Sequence, residues 1–332
     1  MIPSPSNTPQ TTSINPSDKT EKSELIVRAA WLYFIENLTQ QEIAECLGIS
    51  RVKVVRLIKE AREKGIVEIK IQSPISENLL LEGEVRSLYH LTNVVTTLPE
   101  EEEEPLYKVL AWTACQILEQ RMKPGIKIGI GIGRTTSYLS DFFAPYKQAD
   151  CTFISLAGGL TSREIVDDSY ETLFKLAKLS GGDAKYIYAP FLVSNSEIRD
   201  AMLQDKAVED VLNQARNTEI AIFSVGIPDD FALLHQYNLI TDEELSGILG
   251  LGAVGDVLGR FFNESGKEIF TGYRDRVIGL TIDELLAIPV RILVAGGAKK
   301  HRAIQAALIG RIANILVTDV TTAKWLLNNT KD

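Results

Sequence analysis

The stretch Leu38 to Arg62, LTQQEIAECLGISRVKVVRLIKEAR, decides how the chain is read. Thr39 stands where an N-cap would open a short helix with Ile43 and Ala44 facing inward, and Leu47-Gly48-Ile49 then turns the chain. Ser50 is placed as the N-cap of a second helix, in which Val54, Leu57, Ile58 and Ala61 recur at helical spacing. Arg51, Lys53, Arg56, Lys59 and Arg62 remain for the other faces. Two helices joined by a glycine turn, the second capped and basic, form the pattern of a helix-turn-helix, whose second helix enters the DNA major groove. A two-helix corner with a solvated basic face would also produce a charge run. The local balance favours DNA: between residues 50 and 70 seven Lys or Arg stand against three Glu, an excess of four positive charges in a chain of net charge -9. A basic footprint confined to one module suits contact with a phosphate backbone. The candidate contacts are Thr39, Gln40, Ser50, Arg51, Lys53 and Arg56.

Ahead of this pair, Ser23 is placed as a cap, and Leu25, Ile26, Ala29, Ala30, Leu32 and Tyr33 follow helical spacing, which predicts a first helix packed behind the other two. Residues 1–21, rich in Pro, Ser, Thr and Asn, cannot bury a core and are expected to be a disordered tail. After the pair, Gly65 ends the recognition helix, Ile66, Val67, Ile69 and Ile71 read as a short strand that would serve as a wing, and Ser73-Pro74 breaks the chain. A DNA-binding domain at 22–73 follows, with a second domain at 74–332.

The 332 residues are 45% hydrophobic and 24% charged, proportions of a globular protein with a sizeable core. No apolar run is long enough for a membrane helix and residues 1–20 lack a signal-peptide core, so a cytoplasmic protein without a membrane partner is expected. Cys46, Cys115 and Cys151 are widely separated and form no disulfide or metal pattern, and only His90, His235 and His301 are present, so neither a metal site nor a cofactor is expected. The acidic balance excludes broad coating of nucleic acid and confines DNA contact to the N-terminal module.

Residues 77–122 read as a helix around Leu79 to Leu88, a strand at Asn93 to Leu98 and a long helix from Pro105 to Met122. From Gly125 onward, β-rich runs at Ile126–Ile132, Cys151–Leu156, Ala184–Tyr188, Ile220–Val225, Arg291–Val294 and Ile315–Val317 alternate with helical segments at Ser169–Leu179, Val208–Arg216 and Ala303–Ile312. Thr241-Asp-Glu-Glu244 and Thr281-Ile-Asp-Glu284 fit the capping box. The fold class is therefore α/β: an all-α, winged helix-turn-helix followed by a Rossmann-like, mainly parallel sheet with helices on both faces.

Ligands of such sheets bind beyond the carboxyl ends of the strands, so the loops there carry the candidate site. Gly131-Ile-Gly-Arg-Thr-Thr136 runs from a strand into a helix expected near Thr136, and its N–H groups, its hydroxyls and Arg134 could converge on an anion. Without a third glycine at Thr136 it is no dinucleotide fingerprint. Ala157-Gly-Gly159, Ser224-Val-Gly226 and Ala295-Gly-Gly-Ala-Lys-Lys300 follow later strands, and Gly158-Gly159 and Gly296-Gly297 suit either tight turns or close approach to a ligand. Lys300, at the start of the next helix, is poorly placed for the helix dipole unless an anion sits there, while Lys299 and His301 read as surface residues. Asp256, within Gly252-Ala-Val-Gly-Asp-Val-Leu-Gly-Arg-Phe-Phe262, sits among apolar residues where sugar hydroxyls could supply its donors; capping a turn or pairing with Arg260 is the structural alternative, and Phe261 and Phe262 read as core. Asp256, Asp167, Asp168 and His235 show no spacing that assembles an acid/base pair, which argues against an enzyme, the alternative being a sugar-phosphate isomerase or deaminase.

In this order the helix-turn-helix, the GRT, AGG and SVG loops, GAVGDVLGRFF and AGGAKKHRAIQAALIGRIANILVTDVTTAKWLL resemble the SorC family of bacterial sugar-responsive transcriptional regulators, over nearly all of the chain after residue 21. The resemblance implies an effector domain of the sugar-phosphate isomerase type, a sugar or phosphosugar effector, and a homodimer or homotetramer on operator DNA. It also implies that Gly133, Thr135 and Thr136 form a phosphate loop, that Asp256 accepts hydroxyls, that Lys300 is a ligand cation and that Gly158 and Gly159 line the same pocket. With Gly131 and Arg134, these are the candidate effector residues. Ala157 stands where some members that bind phosphorylated effectors have an arginine.

Overall fold

The computed structural model of the chain describes residues 16–68, 76–98, 103–145, 150–160, 169–229 and 239–329. It divides into two units, Met1–Ser73 and Pro74–Asp332.

In the first unit, helix α1 (Pro16–Phe34) opens on a proline, which the first helical position accepts because the N–H missing there has no partner to lose. Residues 16–21, expected in a tail, are thus helical: the turns nucleated by Ile26, Ala29 and Ala30 propagate back to the first residue that cannot extend them. Residues 1–15 lie outside the described residues. Thr39 caps α2 (Gln40–Leu47) in a full capping box with Glu42, and Gly48 ends it at φ 62°. Ser50 caps α3 (Arg51–Glu63), accepting from the Lys53 N–H at 3.3 Å. Val54, Leu57, Ile58 and Ala61 of α3 are buried against Ile26, Ala29 and Ala30 of α1 and Ile43 and Ala44 of α2, the inward faces the periodicity predicts. No strand forms at 66–68, because the N–H groups of Ile66 and Val67 both donate back to the Ala61 carbonyl; the rest of the expected wing, Ile69 to Ile71, lies outside the described residues.

The second unit runs α4 (Ser76–Leu88), β1 (Asn93–Thr97), α5 (Glu103–Glu119), β2 (Lys127–Ile130), α6 (Arg134–Ser137), α7 (Leu139–Phe142), β3 (Thr152–Ser155), α8 (Ser169–Ser180), β4 (Asp183–Lys185), α9 (Ser196–Gln204), α10 (Lys206–Arg216), β5 (Ile220–Phe223), α11 (Asp242–Gly250), β6 (Ala253–Val257), β7 (Arg260–Asn263), α12 (Ile282–Leu286), β8 (Val290–Val294), α13 (His301–Ile309), β9 (Ile315–Asp319) and α14 (Val320–Asn328). Seven strands form one sheet in the order β1-β9-β8-β5-β2-β3-β4, every neighbour parallel. Successive strand residues enter opposite cores, as when Ile220 and Ile222 face one layer and Ala221 and Phe223 the other, which is the both-sides burial that parallel sheets need. Both capping boxes form, at the starts of α11 and α12.

The antiparallel hairpin β6–β7 has no counterpart in the sequence reading. Its two turn residues, Leu258 and Gly259, both have positive φ (51° and 73°), the demand of a two-residue hairpin turn that Asn-Gly usually signals. Leucine in the first place hides it.

Candidate functional sites

In the first unit, α3 presents Arg51, Lys53 and Arg56 to solvent. Later cations on the helix are engaged: Lys59 with Glu63 at 3.6 Å, Lys64 with Glu60 at 2.9 Å, and Arg62 over the Phe34 ring at 5.2 Å. Among the described residues Arg51, Lys53 and Arg56 have no ion pair, and no acid stands in the first turn of α3. Cations at a helix N-terminus oppose the helix dipole, so this end is electrostatically prepared for an anion. Thr39, Gln40 and Arg51 share one open groove of about 710 Å³ with Tyr33 and Phe34. The hydroxyls of Thr39 and Ser50 already serve as caps.

In the second unit, β2 leads outward to β3 and β4 while β5 returns on its other side, so the strand order reverses between β2 and β5. The loops after these strands meet. Gly131 donates to the Ile222 carbonyl at 2.8 Å, and a Cβ there would fall 2.8 Å from that of Phe223, so this glycine joins the strands. Gly133 caps α6, which begins at Arg134, two residues before the expected start. Thr135 and Thr136 therefore lie inside its single turn and are buried, and the Thr136 hydroxyl bonds the Gly131 and Gly133 carbonyls at 2.8 Å each, closing the loop.

The Arg134 guanidinium lies 5.9 Å from the centre of the Tyr107 ring, and Lys300 Nζ, arriving from the 3₁₀ turn Ala298–Lys300 after β8, 5.6 Å from the same centre. Lys300 Nζ is also 3.5 Å from Ser224 Oγ in the loop after β5. Asp256 joins them from β6. Its backbone bridges to Gly226, its Oδ2 accepts from the Gly259 N–H at 3.2 Å, and its Oδ1 lies 2.0 Å from where a Cβ on Gly226 would be. Burial pushes the Asp256 carboxyl up to about 6, against the opposing pull of the Gly259 N–H and the Lys300 charge. The turn-capping alternative is thus present, whereas pairing with Arg260 is not: that guanidinium donates to the carbonyls of Arg274, Val277 and Gly279.

Gly158 and Gly159 spend their N–H groups inside the protein, on the carbonyls of Ile278 and Ala189, and side chains there would strike Pro190 and Tyr170. The Gly296-Gly297 turn is held by a residue the sequence reading passed over. Asp319, buried at the end of β9, accepts from the Gly297 N–H (2.8 Å), the Thr322 N–H (2.8 Å) and the Thr322 hydroxyl (2.6 Å). An Asp closing an apolar strand with Thr three residues on is an N-cap signature, so a signal existed. Tyr107 was passed over as well, while Ser224 and Gly226 lie in a loop the sequence singles out without naming them as candidate residues. His301 corrects an expectation: it is buried against Trp325, ring centres 4.8 Å apart, because α13 turns that face inward, and burial lowers its pKa. Lys299 is exposed, while Asp167, Asp168 and His235 lie outside the described residues. Among the described residues no helix is long and apolar enough to cross a membrane.

A sugar-binding-domain family model matches residues 73–328, and a Crp-like helix-turn-helix model matches residues 27–76. The full-length sorbitol operon regulator SorC from Klebsiella pneumoniae superposes with a TM-score of 0.72 at 26% identity, covering 92% of this chain and 98% of that one. The chain belongs to the SorC family. It is accordingly a helix-turn-helix transcriptional regulator with a sugar-binding effector domain, and DNA and a small molecule are its partners. Among curated relatives, the erythritol catabolism regulatory protein EryD of Brucella abortus is 33% identical over 91% of this chain and 96% of its own length. The deoxyribonucleoside regulator of Bacillus subtilis is 30% identical over 93% of this chain and 99% of its own.

Proposed function

We propose that this cytoplasmic regulator controls a carbohydrate or polyol catabolic operon, and that the effector lies at the reversal point of the sheet, against Gly133, Arg134, Thr135, Thr136, Asp256 and Lys300. The observation that carries the reading is the convergence of the loops after β2, β5 and β8 with the β6 carboxylate, which brings two cations and one acid together. Gly131, Gly158 and Gly159 shape the walls rather than donate to the ligand. Lys300 and Arg134 suit an anionic or strongly polar end of the effector, and Asp256 suits hydroxyls.

Arg51, Lys53 and Arg56 contact DNA phosphates and base edges from α3, with Thr39, Gln40 and Ser50 alongside. A homodimer or homotetramer presents two such helices to a palindromic operator. Relatives named for erythritol, deoxyribonucleosides and sorbitol support a small polyhydroxylated effector and a regulator in preference to an isomerase or deaminase. A thermal-shift screen of sugars, polyols and their phosphates tests the pocket: a ligand that stabilises the wild type should stabilise Lys300→Ala far less. Equal shifts in both would remove Lys300 from the site.

A further inference from the structure

Tyr273 is 3% exposed, yet among the described residues its phenolic oxygen has no hydrogen-bond partner. Buried hydroxyls are normally satisfied, since an unmade hydrogen bond there leaves the full cost of desolvation uncompensated. Packing explains the ring: it meets Phe261 edge-on with centres 5.4 Å apart, and the Arg276 guanidinium lies 5.6 Å from its centre. Packing does not explain the oxygen. Phe261 stands directly opposite Asp256 in the β6–β7 register, so the two side chains share one face of the hairpin, and Tyr273 lies on that face through its contact with Phe261. Burial, and after it the negative charge of Asp256, hold the phenol above the usual tyrosine range, and no hydrogen bond joins the two groups.

We propose that Tyr273 is an effector-binding residue, whose O–H and the Asp256 carboxylate together hold one neutral hydroxyl of a polyhydroxylated ligand. This rests on the effector pocket proposed above. A ligand hydroxyl is chemically matched to the two groups because it donates to the carboxylate and accepts from the phenol. A phosphate in that place would set its charge against Asp256, so an anionic end belongs toward Lys300 and Arg134. The ligand class that results carries a hydroxyl at the Asp256 end, with any phosphate at the far end.

The test compares Tyr273→Phe with the wild type, using as probes erythritol, ribitol, D-glucitol, D-ribose, 2-deoxy-D-ribose and the phosphates of these sugars and polyols. Binding is read by melting temperature and calorimetry. Tyr273→Phe keeps the ring on Phe261 and should melt no lower than the wild type without ligand, while binding the tightest probe at least tenfold more weakly. Against a probe lacking the contacted hydroxyl the two proteins should bind alike, which a general loosening of the pocket would not produce. A lower ligand-free melting temperature would mean that the hydroxyl already has a partner within the protein, and would overturn the proposal. So would wild-type affinity in Tyr273→Phe when Asp256→Asn has lost binding. If no probe stabilises the wild type, or if Asp256→Asn and Lys300→Ala bind as it does, the effector pocket fails, and the role of Tyr273 with it.

Discussion

Asp256 is held by single-atom tolerances. Glycine at 226 is what admits its Oδ1, and a methyl group there would overlap the carboxylate. Gly226→Ala is therefore expected to displace Asp256, costing about 1–3 kcal/mol of stability by overpacking and most of the effector affinity. Urea denaturation and calorimetry would show both, and an unchanged effector affinity would mean that Asp256 does not touch the ligand. The raised carboxyl has consequences of opposite sign. Between pH 3.8 and about 6 the native state holds more of this proton than the unfolded chain, so the group's contribution to stability falls as pH rises through that window. Effector binding to the ionised carboxylate runs the other way: affinity should be level above pH 7 and about tenfold weaker near pH 5. A profile that stays flat in wild type, or that persists in Asp256→Asn, would assign the titration elsewhere.

At the scale of elements, Asp319 joins the start of α14 to the loop after β8, and through that loop it fixes where Lys300 emerges. Asp319→Ala removes the shorter of the two acceptors of the Gly297 N–H, leaving the Thr322 hydroxyl at 3.1 Å, and removes the cap of α14, so a loss of about 2 kcal/mol in urea denaturation is expected. A loss below about 1 kcal/mol would mean that the loop is held by other contacts. The elements were legible where burial and capping speak through sequence. The α3 core residues, the Thr39 and Ser50 caps and six of the seven sheet strands follow from helical spacing, capping chemistry and β-branched runs, whereas β4 forms at Asp183–Lys185, only the start of the expected run Ala184–Tyr188. The start of α1 was misread because Pro and Ser were weighed by composition and not by position. The β6–β7 hairpin was hidden by a leucine with positive φ, and no wing begins at Ile66 because helix-end hydrogen bonds take its N–H. In the candidate site, the glycine loops, Asp256 and Lys300 were legible as loop chemistry. Tyr107 and Tyr273 were not, since their proximity depends on long-range folding that no local pattern encodes.

At the scale of the whole molecule, the proposed DNA contact rests on one basic helix in a chain of net charge -9. Arg51→Ala and Lys53→Ala should each weaken operator binding and lower the salt dependence by about one phosphate contact, with effector affinity unchanged. Unaltered DNA affinity in both would remove α3 from the major groove. Regulation further requires that effector and operator binding be coupled, since a ligand with equal affinity for both arrangements shifts nothing. Fluorescence anisotropy on the promoter region of the neighbouring genes, with and without the stabilising sugar or polyol, measures that coupling directly. A change in DNA affinity of roughly 5- to 150-fold is expected in the wild type and none in the Asp256→Asn, Lys300→Ala double variant. DNA affinity indifferent to every such ligand, or a full response in the double variant, would contradict it.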